Sequence, residues 1–69
     1  MKYTVIGILG SDICSTNTAL EAVQVVLKQI PLSEKNAKKF ENRLQNAKEG
    51  STIYIEYGGA SCAVKVHKN

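Results

Sequence analysis

Residues 2–9, KYTVIGIL, carry apolar side chains at both phases of a period of two. Tyr3, Val5 and Leu9 share one face, and Thr4, Ile6 and Ile8 the other, so the run predicts a strand that is largely apolar on both sides. Such a strand is either covered on both faces or presents an edge to another chain. Residues 10–17, GSDICSTN, are polar and read as a loop.

From Thr18 the period changes. Thr18 and Glu21 have capping-box spacing, a hydroxyl for the backbone amide three residues on and a carboxylate reaching back. Residues 18–30 predict a first helix with Leu20, Val23, Leu27 and Ile30 as its core seam. Ala19, Ala22, Val25 and Val26 widen the apolar arc to roughly 220°, whereas a one-sided helix needs about 100° or somewhat more. A helix of this kind is expected to be sandwiched between the sheet and a second partner.

Pro31 and Leu32 turn the chain, and Ser33 is placed to cap a second helix with Leu32 stapled to Ala37. Its buried seam is Ala37, Phe40, Leu44 and Ala47, and Gly50 supplies a left-handed stop. Residues 52–57, TIYIEY, and 61–67, SCAVKVH, alternate as two further strands around a Gly58-Gly59 turn. Ile53, Ile55 and Tyr57 oppose Thr52, Tyr54 and Glu56; Cys62, Val64 and Val66 point inward, Lys65 and His67 outward. The fold class is α+β. Residues 1–69 are expected to form a single small domain, β-α-α-β-β, with a three-stranded sheet and a two-helix hairpin packed on one face. The first strand pairs antiparallel to the second or parallel to the third.

Length sharpens the picture. A chain of 69 residues buries only about 60% of the surface its unfolded form exposes, so its stability is marginal without a staple. The two cysteines, Cys14 and Cys62, are far apart and sparse for a secreted disulfide scaffold. The only histidine is His67, and no C-x-x-C pairing is present, so neither metal nor cofactor is expected. The apolar N-terminal run is too short for a signal peptide, and no stretch approaches the roughly 20 apolar residues of a membrane span. A cytoplasmic protein with no membrane association is expected. The formal net charge of +3, from nine basic and six acidic residues, permits an anionic partner without demanding one.

Association is therefore the expected staple. Ile6, Ile8 and Tyr54 on the helix-free side of the sheet, with Val25 and Ala22 on the first helix, form a surplus of apolar surface and a candidate protein interface. The partner would be another protein or a second copy in a homodimer. Docking would use the open sheet face or the edge of the first strand. The alternative is a nucleic-acid-binding regulator using the outer face of the second helix. There Lys35, Lys38, Lys39 and Arg43 could meet phosphates, and Asn42 and Asn46 could read base edges. The junction from Gly10 to Thr18 offers backbone amides to an anion and sets Cys14 near a helix start, but it lacks phosphate-loop or dinucleotide spacing. No acid–base or nucleophile set can be assembled by spacing, so neither an enzyme nor a small-molecule substrate is expected. Small proteins without a catalytic set, including those of phages and mobile elements, serve as regulators or inhibitors, and that is the class expected here.

Overall fold

Tyr3 and Val5 of the first strand, β1 (Lys2–Ile6), lie at the centre of the core, and the chain folds back on β1 from both sides. The computed structural model describes residues 1–68. The elements run β1, β2 (Asp12–Thr16), α1 (Ala19–Gln29), α2 (Glu34–Gln45), β3 (Thr52–Tyr57) and β4 (Ala60–His67). The four strands make one antiparallel sheet in the order β2-β1-β4-β3, and the class is α+β.

The sheet has one strand more than the pattern predicts. Residues 10–17 contain β2, which returns alongside β1 with Tyr3 opposite Thr16, Thr4 opposite Ser15 and Val5 opposite Cys14, then shifts register before Ile6. The hairpin closes through the Gly7 amide to the Ser11 carbonyl (2.9 Å) and the Gly10 amide to the Gly7 carbonyl (3.0 Å). As an edge strand, β2 buries almost nothing, so no alternating apolar pattern marks it in the sequence. Ile8 and Leu9 sit in this turn rather than on β1, and Leu9 is 91% exposed rather than part of the core. At Gly7 a Cβ would come within 2.8 Å of Ile13 Cδ1, so the absence of a side chain there lets β2 close over β1.

The extra reversal changes the pairing. β1 runs antiparallel to β4, with Val5 opposite Val64 and Ile6 opposite Ala63. This is neither of the two expected pairings. It also makes β1 an interior strand, so docking on its edge is excluded, and the free edges belong to β2 and β3.

Both helices pack on one face of the sheet. Val5, Cys62, Val64 and Val66 of the sheet meet Ala22, Val23, Val26, Ile30, Phe40 and Leu44 of the helical layer. The α2 seam falls where the sequence places it, with Phe40 and Leu44 buried and Ala37 and Ala47 half-buried. The α1 seam does not. Ala19, Ala22, Val23, Val26 and Ile30 are buried, while Leu20 is 51% exposed and Leu27 is also exposed. The buried arc is rotated by about 60° from the expected leucine seam. Alanines at 19 and 22 let the helix approach the sheet closely, and the longer leucines are left on its flank. The exposed positions Leu20, Glu21, Gln24, Leu27 and Lys28 leave the outer side of α1 uncovered, so the helix is not sandwiched.

Local signals terminate the elements. Thr18 Oγ1 accepts from the Glu21 amide (3.2 Å) and donates to Glu21 Oε1 (2.9 Å), and Ser33 Oγ accepts from the Asn36 amide (3.2 Å). α2 ends at Asn46, four residues before the predicted stop at Gly50. Gly50, at φ +87°, instead turns the chain into β3 and donates its amide to the Val66 carbonyl. Gly58 and Gly59 both have positive φ, +56° and +86°, the geometry of the two-residue type I′ hairpin that their sequence predicts.

Candidate functional site on the open sheet face

The helices cover one face of the sheet, so residues that alternate with the core line the other. Directly opposed residues of antiparallel strands share a face, and the register groups the open face into rows. One row is apolar over three strands, with Ile6 of β1 opposite Ala63 of β4 and Ala63 opposite Tyr54 of β3, and it is bounded on β2 by Asp12, paired with Ile6. The next is polar: Ser15, Thr4, Lys65 and Thr52, one from each strand in sheet order. At the end Lys2 faces His67.

Ala63 is the floor of the apolar row. It is only 6% exposed although it faces away from the core, because its methyl is flanked by the longer side chains of Ile6 and Tyr54. A depression of about 240 Å³ sits over it, bounded by Ile6, Gly7, Ile8, Tyr54 and Lys65. Ile8 also lines a second depression of about 130 Å³ with Gly7, Leu9, Ile13 and Gln29. Apolar surface therefore runs along the open face from Tyr54 across Ala63 and Ile6 to Ile8, and Ile8 carries it round the hairpin to Leu9 and to Ile13, which lies on the helix side beside Gln29 of α1. Tyr54 is 63% exposed, and Ile8 and Ile13 are each a little under half exposed.

The polar row is internally bonded. Thr4 Oγ1 lies 2.9 Å from Ser15 Oγ and 2.7 Å from His67 Nε2, and His67 Nδ1 lies 3.1 Å from the Lys68 carbonyl. A carbonyl only accepts, so Nδ1 carries a proton. In the neutral ring Nε2 then accepts from Thr4, and Ser15 donates to Thr4. The chain ties β2, β1 and β4 together at the polar end of the face.

Of the residues expected to form a protein interface, Ile6, Ile8 and Tyr54 are brought together on this face. Ala22 is not among them. It is fully buried against the sheet, because the rotation of α1 turns it inward. Val25 is half-buried and packs against the core. The pattern gave no weight to Leu9 and Ile13, which were assigned to a core face and a loop. The G-I-L-G sequence around them, two glycines bracketing two apolar residues, is the signal that could have marked an exposed turn.

Comparison with protein-family models, curated proteins and solved structures gives no match.

The nucleic-acid candidates Lys35, Lys38, Lys39, Asn42, Arg43 and Asn46 are all exposed on α2. Two of them are engaged with the fold. Asn46 Nδ2 donates to the Asn42 carbonyl (2.9 Å), closing the helix end, and Arg43 Nη1 donates to the Tyr54 carbonyl (3.4 Å). Among the described residues no three His, Cys, Asp or Glu side chains gather as a metal site, and no helix is long and apolar enough to cross a membrane. Cys14 is an exposed free thiol and Cys62 a buried one, and burial raises the Cys62 pKa above its ordinary value.

Proposed function

We propose that this protein is a small non-enzymatic binding protein that acts as a regulator or inhibitor by docking on another protein through the open face of its sheet. The observation that carries this reading is the apolar stripe from Tyr54 across Ala63 and Ile6 to Ile8, on the face that the chain's own helices leave bare, with exposed Leu9 beside it at the hairpin tip. Burying a leucine or isoleucine side chain is worth about 1.5–3 kcal/mol. Leu9, at 91% exposed, contributes almost none of that to folding. A second copy of the chain is the other protein partner that the same stripe would accept.

A second reading, contact with nucleic acid through α2, is supported by the exposed lysines at 35, 38 and 39. Salt separates the two. Phosphate contacts weaken steeply between about 50 and 200 mM salt, whereas an apolar interface hardly responds.

The test is affinity capture from the source cells with three baits: the native protein, Ile8→Asp/Leu9→Asp, and Lys35→Glu/Lys38→Glu/Lys39→Glu. Docking through the sheet predicts a protein retained at 200 mM salt by the native and lysine-variant baits and lost with the hairpin variant. Loss with the lysine variant alone, together with salt-sensitive capture of nucleic acid, would replace this reading with the second.

A further inference from the structure

The second free edge of the sheet, β3, is built differently from β2. Its two-residue hairpin makes Tyr57 and Ala60 a hydrogen-bonded pair, and the pattern alternates from there. Residues 53, 55 and 57 therefore turn their amides and carbonyls toward β4, while Thr52, Tyr54 and Glu56 turn theirs outward. The Arg43 bond to the Tyr54 carbonyl, made from outside the sheet, agrees with that assignment.

A groove of about 360 Å³ runs beside this edge, between β3 and α2, lined by Leu32, Asn36, Lys39, Arg43, Ile55 and Tyr57 among others. Its floor is apolar and its helical wall is basic. Charge on α2 is segregated. At 100° per residue Lys39 and Arg43 fall on the flank over β3, while Glu34 and Glu41 fall on the opposite flank. Glu56 is the carboxylate at the groove, and alternation with Ile55 and Tyr57 turns its side chain to the open face.

We propose that the free edge of β3 is a strand-addition site for an extended acidic segment of a partner protein, with Lys39 and Arg43 selecting carboxylates at alternate positions. An added strand would pair with the outward groups of Thr52 and Glu56 and the outward amide of Tyr54, and would displace Arg43 from the Tyr54 carbonyl, freeing its guanidinium for a carboxylate. Every second side chain would then enter the groove, beneath the two cations. Charge decides between occupants. Antiparallel pairing with β3 of a second copy would put both α2 helices on the same side of the joined sheet, setting Lys39 and Arg43 against their own counterparts. An acidic peptide meets the same cations with opposite sign. This site meets the apolar stripe only at Tyr54, and it uses backbone groups and α2 rather than Ile6 and Ile8.

The test is selection of displayed random peptides of about nine residues on the intact protein, with binding then measured to two variants. Glu56→Pro removes an amide that points away from β4, so the internal ladder is kept while the edge is blocked. Lys39→Glu/Arg43→Glu reverses the groove charge at exposed helical positions, and ¹⁵N spectra confirm that both variants fold. The proposal predicts enrichment of Asp and Glu at alternate positions. It also predicts at least about tenfold weaker binding to each variant, and slowed exchange of the Thr52, Tyr54 and Glu56 amides on binding. Peptides without acidic enrichment, unchanged affinity for Glu56→Pro, or shifts confined to Ile6, Ile8 and Ala63 would overturn it. So would edge amides that slow with protein concentration alone, which would make a second copy the occupant, or displacement of the peptide by an oligonucleotide probe whose binding survives Glu56→Pro.

Discussion

Phe40 and Tyr54 are aromatic residues on opposite sides of the sheet, and truncating each to alanine should have very different consequences. Phe40 is 1% exposed at the centre of the helical layer, and an aromatic-to-alanine change at such a site costs about 3–5 kcal/mol. A chain of 69 residues has a total unfolding free energy of about 3–10 kcal/mol. Phe40→Ala should therefore remove between about a third and all of the protein's stability at 25 °C. Tyr54 is 63% exposed. Taking its surface as about 200 Å², about 75 Å² is covered in the fold, worth at most ~2 kcal/mol. The remaining ~125 Å² corresponds to ~3 kcal/mol that folding does not use. A partner that covers the ring could gain up to about a hundredfold in affinity from it. Urea denaturation followed by circular dichroism reads both variants. Tyr54→Ala should lower the unfolding free energy by no more than ~2 kcal/mol with an unchanged slope, while Phe40→Ala lowers it by about 3–5 kcal/mol. Equal losses for the two would mean that Tyr54 is packed in the isolated protein, and the reasoning about a bare sheet face would be refuted.

Other expectations follow from single contacts. Leu44→Ala should cost about 2–5 kcal/mol, whereas Leu20→Ala, the same change on the exposed flank of α1, should cost under ~1 kcal/mol; denaturation midpoints compare them directly. Gly7→Ala should cost under ~1 kcal/mol by urea denaturation, because its contact is with the end of the part-exposed Ile13 side chain, which can swing aside. Thr18→Ala should cost about 1 kcal/mol by leaving the Glu21 amide without its cap. Native Cys14 should react with a thiol reagent far faster than Cys62, as mass spectrometry of the alkylated protein would show. Because burial raises the Cys62 pKa in the folded state, its contribution to stability is full below the ordinary thiol value of 9.0. It is lost as pH rises through the raised one, since the unfolded thiol ionises first. Cys62→Ala should flatten that alkaline decline.

The elements with a buried face were legible and the edge was not. β3 and β4 alternate because one side of each faces the helices, and α2 shows a narrow seam because only Phe40, Leu44 and two alanines touch the core. β2 has no buried face to impose a pattern, and its residues read as a polar loop. Missing it also hid the direction of every pairing with β1. In α1 the arc of apolar residues was too wide to fix its rotation. Leucines score as core by size, but closeness to the sheet favoured Ala19 and Ala22. The surface residues Ile6, Ile8 and Tyr54 were legible as a bare apolar row because alternation survives a change in strand order. The positions of Leu9 at the hairpin tip and of Ile13 on the helix side emerged only once the turn was placed. The β3 groove could not be read at all, since it depends on α2 lying over an edge strand.

The docking role of the stripe is tested most directly by methyl spectra of isoleucine- and leucine-labelled protein, recorded in buffer and in a lysate of the source cells. Docking through the open face predicts that Ile6 and Ile8, with Leu9 at the adjoining turn, broaden or shift in the lysate while Leu20 and Leu27 stay unchanged. Unaltered stripe methyls, or changes confined to Leu20 and Leu27, would contradict it.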